Sequence, residues 1–261
     1  WLMRNLAMPE ARRFLRDLRL LIIDEAHVAE SVFGSNFAFL LRRLQAARSL
    51  VPGSAERGAI QVLAASATIA NPAEHLQALT GVKFAVISDD EDGSPQHGRT
   101  LYHVAGDSTD SEQLLPTIVG SLLPHAIPES LIAFADSRQG VERAAVKIND
   151  TGVQPYRSGF EPGDREEIER ALRAGTLKGV ISTSALELGI NIPSFTVGIT
   201  LGVPPSRKSF RQRIGRVGRT SHGAFAVLAE PEAFLRFGTT FKEYIAGSIE
   251  PCHLYLQNRF V

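Results

Sequence analysis

Cysteine is nearly missing: Cys252 is the only one in 261 residues. A single thiol excludes an internal disulfide framework and a multi-cysteine zinc site, and its plainest reading is a small buried apolar side chain. Long apolar runs are missing too. A membrane span needs roughly 18 such residues; the longest candidate, Leu18 to Ile23, is broken by Arg19 and stops at Asp24. The arginine-rich start lacks the continuous apolar core of a signal peptide. These gaps predict a soluble protein with a cytoplasmic address and no membrane partner. An excess of charge is also absent, since 28 basic residues balance 28 acidic ones, so the summed field selects no class of partner. Finally, two glycine signatures do not occur. The absence of G-x-G-x-x-G excludes the dinucleotide fingerprint, and there is no Gly-Lys-Ser or Gly-Lys-Thr of a phosphate-cradling loop.

What is present alternates. Leu20 to Ile23 is a fully apolar run read as a buried central strand, Ile60 to Ala65 reads as a second buried strand, and Phe84 to Ile87 as a third. Between them Phe37, Leu40, Leu41 and Leu44 fall on one helix face, with Asn36 as its cap. Asn71-Pro72 opens a further helix that Gly81 ends. Residues 89 to 111, rich in turn formers, read as a hinge, with a strand at Leu101 to Val104. Beyond it Leu131 to Phe134, Val180 to Thr183, Val197 to Leu201 and Ala224 to Ala229 read as strands. They alternate with helices at Arg138 to Asn149 and Arg165 to Ala174, the latter with Asp164 and Glu167 at capping-box spacing. The class is α/β, with parallel sheets covered on both faces. In such sheets the functional groups gather at the carboxyl ends of the strands, where Asp24, Ser66, Ser137 and Thr183 fall.

Asp24 and Glu25 end the first apolar run. An acidic pair there suits the Mg²⁺ of a nucleoside triphosphate, a hard ion that takes oxygen ligands and keeps several waters. Asp24 is the candidate ligand, and Glu25 the candidate base for an attacking water. Ser66 and Thr68, flanking Ala67, can hydrogen-bond these carboxylates and His27, coupling the hydrolytic site to domain closure. Arg213, Arg216 and Arg219 recur every three residues, separated by Gly215 and Gly218. Guanidinium groups fork onto phosphate oxygens, so Arg216 and Arg219 are candidate arginine fingers and Gln212 a contact to the γ-phosphate or lytic water. A basic surface loop is the plainer alternative. Thr183, Arg157 within Tyr156-Arg157-Ser158-Gly159, and Ser137 and Arg138 offer donors for a nucleic-acid phosphate; ordinary turn chemistry would place the same residue types there.

Assembled in this order, the motifs resemble those of superfamily 2 helicases of the DEAD/DEAH-box kind. Val32-Phe33-Gly34-Ser35, Ala65-Ser66-Ala67-Thr68-Ile69-Ala70-Asn71-Pro72, Asp92-Gly93-Ser94-Pro95, Asp164 to Glu169 and Ala185 to Ile190 look like the Lhr-like and MrfA(YprA)-like branch. The resemblance implies two RecA-like domains with ATP between them and single-stranded nucleic acid, DNA rather than RNA, across both. It implies residues 1–95 as part of the first domain, 96–111 as a linker, 112–230 as the second domain and 231–261 as the start of an accessory region. It implies ATP and Mg²⁺ as cofactors, Asp24, Gln212, Arg216, Arg219 and Asn191 as nucleotide contacts, and DNA repair as a setting.

Three departures accompany the resemblance. With only 23 residues before Asp24 and no phosphate loop, the chain reads as a piece of a longer protein, expected to hydrolyse little ATP alone. Asn191 stands where relatives carry Asp. The four-cysteine cluster of MrfA-like relatives is missing. A competing expectation is a nucleic-acid-binding regulatory module that keeps helicase-like domains without hydrolysis.

Overall fold

In the computed structural model, which describes residues 4–95, 97–105, 111–126, 128, 130–148, 152–156, 159–183 and 194–255, Leu20–Ile23 forms strand β1. It pairs in parallel with β2, Gln61–Ala64, with Ile23 opposite Ala64. Helices α1 (Pro9–Asp17), α2 (Ser31–Ser49) and α3 (Pro72–Thr80) complete this part of the chain. Ile23, Ala38, Leu41, Leu76 and Leu79 make its core. Only one face of the two-stranded sheet is covered by them. Leu20, Ile22 and Leu63, on the alternate positions, are 44%, 65% and 48% exposed, so β1 is half-buried rather than buried on both faces as its composition suggests.

Three local expectations are corrected here. The helix begins at Ser31, so Asn36 lies inside α2 and caps nothing. Of the face read for α2, Leu41 is buried and Phe37 packs on the core, whereas Leu40 is exposed; the buried stripe runs on through Gly34, Ser35, Ala38 and Arg48. Arg42 and Gln45 donate to the carbonyls of Ala78 and Thr80 at the end of α3, and Arg48 to those of Ser54 and Gly58. Phe84 to Ile87 is not a strand: Phe84 packs on the core, but Val86 and Ile87 stay exposed and no described strand pairs with them. Asn71-Pro72 and Gly81 bound α3 as read, with Gly81 at φ 79°.

The second part is a six-stranded parallel sheet. Its strands are β3 (Arg99–Val104), β4 (Leu131–Phe134), β5 (Val153–Tyr156), β6 (Gly179–Ser182), β7 (Val197–Leu201) and β8 (Gly223–Leu228), in the order β3-β8-β7-β4-β6-β5. β4 and β6 are buried at every position, as parallel strands covered on both faces must be. Ile132 and Phe134 enter one core, and Leu131 and Ala133 the other. Helices α4 (Ser111–Leu122), α5 (Arg138–Lys147), α6 (Pro162–Arg173), α7 (Arg207–Ile214) and α8 (Phe241–Ala246) surround it. α6 begins before Asp164, which therefore sits in its first turn and not at its cap.

The chain divides into two compact units, Trp1–Asp92 with Ile249–Val261, and Gly93–Ser248. The stretch read as a linker contains β3, an edge strand of the second unit. Phe234 and Tyr244, from the stretch read as an accessory region, are buried in that unit's core. At Ile249 the chain returns to the first unit.

Candidate functional site

In the first unit, β1 and β2 end side by side and deliver the acidic pair and the Ser66 hydroxyl to neighbouring strand ends. The ladder continues past them: Ala65 N–H donates to Ile23 O and Ala26 N–H to Ala65 O, both at 2.9 Å. Between these bonds the chain turns sharply at Glu25, which adopts φ 48°, ψ 47°. A left-handed conformation is uncommon for a residue with a Cβ and marks stored strain. Glu25 N–H donates to Asp24 Oδ1 at 2.8 Å, which fixes one carboxylate oxygen of the exposed Asp24. A short 3₁₀ turn, Ala26–Val28, follows and buries His27. His27 Nδ1 lies 2.9 Å from Ser66 Oγ and 3.5 Å from Glu25 Oε2. The imidazole thus stands between the acidic pair and the Ser66 segment. Thr68 is buried nearby in sequence.

The second unit carries the arginine run. Ser206 caps α7 by accepting from Ser209 N–H at 3.0 Å, and Gln212 is half-buried on that helix. The run then turns into an isolated bridge, Phe195 to Val217, with Phe195 N–H on Arg216 O and Gly218 N–H on Phe195 O. Gly218 is needed there. Its φ is 69°, and an added Cβ would meet Gly223 N at 3.2 Å.

The basic residues separate by surroundings. Arg207 and Arg211 donate to Tyr244 O and Ile245 O, capping the last turn of α8. Arg213 is 1% exposed. It donates to Thr200 Oγ1 at 2.8 Å and Asp136 Oδ1 at 2.9 Å, above the Phe134 ring. Thr200 belongs to β7 and Asp136 follows β4, adjacent strands whose onward connections run to opposite sides of the sheet. Such a switch point is where open α/β sheets commonly take a ligand; in this unit a guanidinium spans it. Arg216 is half-buried and Arg219 exposed. Arg219 Nε donates to Gly215 O at 2.7 Å, and its N–H to Ser194 Oγ at 2.9 Å. Arg99 Nε holds Val217 O at 2.6 Å, and burial, with Arg219 close by, lowers the Arg99 pKa.

Of the residues proposed for nucleic acid, Ser137 accepts from Gly140 N–H at 3.0 Å and so caps α5, while Arg138 is exposed at the first turn of that helix. Thr183 is half-buried just after β6. Arg157 and Asn191 lie outside the described residues. The geometry adds groups to which the sequence reading gave no role: the Asp136–Arg213–Thr200 set, Arg99 and Ser194. Arg213 sits inside the arginine run already singled out, and Asp136 immediately precedes Ser137. Arg99 and Ser194 carry no sequence signal, because their contacts are to backbone atoms far along the chain.

Residues 2–76 match the DEAD/DEAH box helicase family, and residues 114–221 the helicase conserved C-terminal domain. The chain belongs to the DEAD/DEAH-box helicases. Among these helicases it is 33% identical over 225 residues to the "uncharacterized ATP-dependent helicase YprA" of Bacillus subtilis, an alignment covering 81% of this chain and 29% of that protein. It is 29% identical over 248 residues to the ATP-dependent helicase HRQ1 of Saccharomyces cerevisiae, covering 85% of this chain and 22% of the relative. The chain therefore spans less than a third of either relative. A crystal structure of the helicase MrfA bound to DNA matches 96% of this chain and 37% of its own, with TM-score 0.81 and 28% identity. The two units of this chain are RecA-like, as the alternating pattern and the motif order predict.

Proposed function

We propose that this chain is the motor core of an ATP-dependent helicase or translocase that moves along single-stranded DNA inside the cell, in the setting of DNA repair. In this reading Asp24 holds the Mg²⁺ of ATP and Glu25 accepts the proton of the attacking water. Gln212, Arg216 and Arg219 engage the triphosphate, with Asn191 near the ribose. His27, Ser66 and Thr68 couple hydrolysis to the strand, which Ser137, Arg138, Arg157 and Thr183 hold. DNA is favoured over RNA by the likeness to MrfA, whose structure was solved with DNA.

The donor chemistry suits the metal. Asp24 is an exposed carboxylate with one oxygen fixed by Glu25 N–H, which leaves the other for a hard cation that needs few protein ligands. Mg²⁺, when bound, offsets the negative charge of the phosphates. Arg216 and Arg219 add fixed positive charge, which is worth most where charge develops in the transition state.

The observation that carries the proposal is the cluster at the ends of β1 and β2: the acidic pair on a strained turn, with His27 2.9 Å from Ser66. The test is Glu25→Gln in the full-length gene product. ATP turnover in the presence of single-stranded DNA is expected to fall by roughly 10²–10⁴-fold, the usual worth of a general base, while binding of a fluorescent ATP analogue persists. Turnover at the wild-type rate would refute the assignment of the base.

A further inference from the structure

The motif Val32-Phe33-Gly34-Ser35 and the residue Asn71 have no part in the proposed chemistry, yet both contact the same remote segment. After the second unit the chain returns to the first, and residues 251–255 lie against the turn that carries His27. Asn71 grips the backbone of Cys252 twice: its Oδ1 accepts from Cys252 N–H at 2.9 Å and its Nδ2 donates to Cys252 O at 3.1 Å. The buried Cys252 thiol approaches His27 O at 3.9 Å. Ser31 N–H donates to His253 O at 2.7 Å, and Tyr255 N–H donates to Ser35 Oγ at 2.7 Å.

Leu254 completes the seat. It packs against the core of the first unit and pairs with Ser31 in an isolated bridge. Gly34 makes room for it, since an added Cβ would stand 2.7 Å from Leu254 Cδ2 and 2.2 Å from Ala29 O. Ser31 is itself strained, at φ 54°. The two strained residues described in the first unit, Glu25 and Ser31, bracket the His27 turn, and strain of this kind persists only where surrounding contacts over-determine it. The contacts close a ring from Cys252 to His27, through the imidazole to Ser66, along the chain to Asn71 and back to Cys252.

We propose that residues 251–255 are a strap that positions His27. The segment holds the 3₁₀ turn and the start of α2 in the conformation that sets the imidazole on Ser66. Asn71 and Leu254 are then positioning residues of the hydrolytic site, acting through His27 without touching nucleotide. The functional consequence rests on the helicase reading of that turn; the structural claim does not.

The single cysteine makes the strap measurable, because every thiol signal in the 261-residue chain reports Cys252. The rate of labelling by a disulfide reagent under native conditions reads local opening. Asn71→Ala removes both hydrogen bonds to Cys252 and is expected to speed labelling at least about tenfold. In the same sample the imidazole resonance of His27, identified by its loss in His27→Asn, is expected to shift or broaden. Leu254→Ala releases the strap by a different route and serves if Asn71→Ala fails to fold. Labelling as slow as in the parent chain, in a folded variant, would overturn the strap. Faster labelling with an unmoved His27 resonance would overturn its control of the turn. Neither readout involves ATP, so either failure leaves the helicase proposal standing. Conversely, an inert Glu25→Gln result would leave the strap standing.

Discussion

Three arginines recur at every third position from 213 to 219, and their surroundings give them different work. Arg213 is buried between Thr200 and Asp136 over an aromatic ring. A buried guanidinium is held by fixed partners, and removing it leaves polar groups without them. Asp136 is partly exposed, so water recovers some of that loss. Arg213→Met, which keeps much of the volume, is expected to cost about 2 kcal/mol of the second unit's stability, read as a lowered urea midpoint. Arg213→Lys should restore little, because an ammonium cannot present the planar fork that reaches both oxygens. An unchanged midpoint in Arg213→Met would show that the Asp136 and Thr200 bonds contribute nothing. Arg216 and Arg219 differ in kind. They lie beyond the helix, on either side of Gly218, whose φ of 69° lets the chain turn, and they remain candidates for an anionic ligand.

At the level of elements, β5 and α6 are joined by a polar contact at the edge of an apolar core. Tyr156 Oη donates to Glu169 Oε1 at 3.1 Å, and burial, with the carboxylate beside it, pushes the Tyr156 pKa up to about 12. The unfolded chain releases this proton near pH 10. The stabilising contribution is therefore complete below about pH 10 and is lost as pH rises through about 12. Tyr156→Phe should cost about 1 kcal/mol at neutral pH and flatten the decline in stability between those limits. A decline as steep as in the parent would assign it to other groups.

What could be read from the sequence divides along the same line. β4 was legible because a strand buried on both faces is written as an unbroken apolar run, and β6 and β7 because theirs are interrupted only by small residues and one threonine. The sites at strand ends followed from them, with Asp24 after β1 and Thr183 after β6. Phe84 to Ile87 shares that composition but gains no described partner strand, and composition cannot supply one. The face of α2 was only partly legible, with Phe37 and Leu41 on the core as read, because Arg48, a charged residue, belongs to the buried stripe. Arg48 is buried by the carbonyls of Ser54 and Gly58, which no periodicity reveals. The return of residues 251–255 was invisible for a similar reason: Asn71 meets backbone atoms 181 positions away.

For the whole molecule, net charge is zero, and the basic residues that stand out in the sequence are partly consumed internally, on α8 and at the switch point. In the proposed function two small sets of residues, Asp24 with Glu25 and Arg216 with Arg219, act on one triphosphate. Residues that act as a unit on one transition state are strongly non-additive when mutated. The most direct test is a double-mutant cycle of Glu25→Gln and Arg216→Ala, read as single-turnover ATP hydrolysis by the full-length gene product with saturating single-stranded DNA. Each single variant is expected to lose roughly 10²-fold or more, and the double variant to be scarcely slower than the worse single one. An Arg216→Ala enzyme hydrolysing ATP at the parent rate would contradict the proposed function.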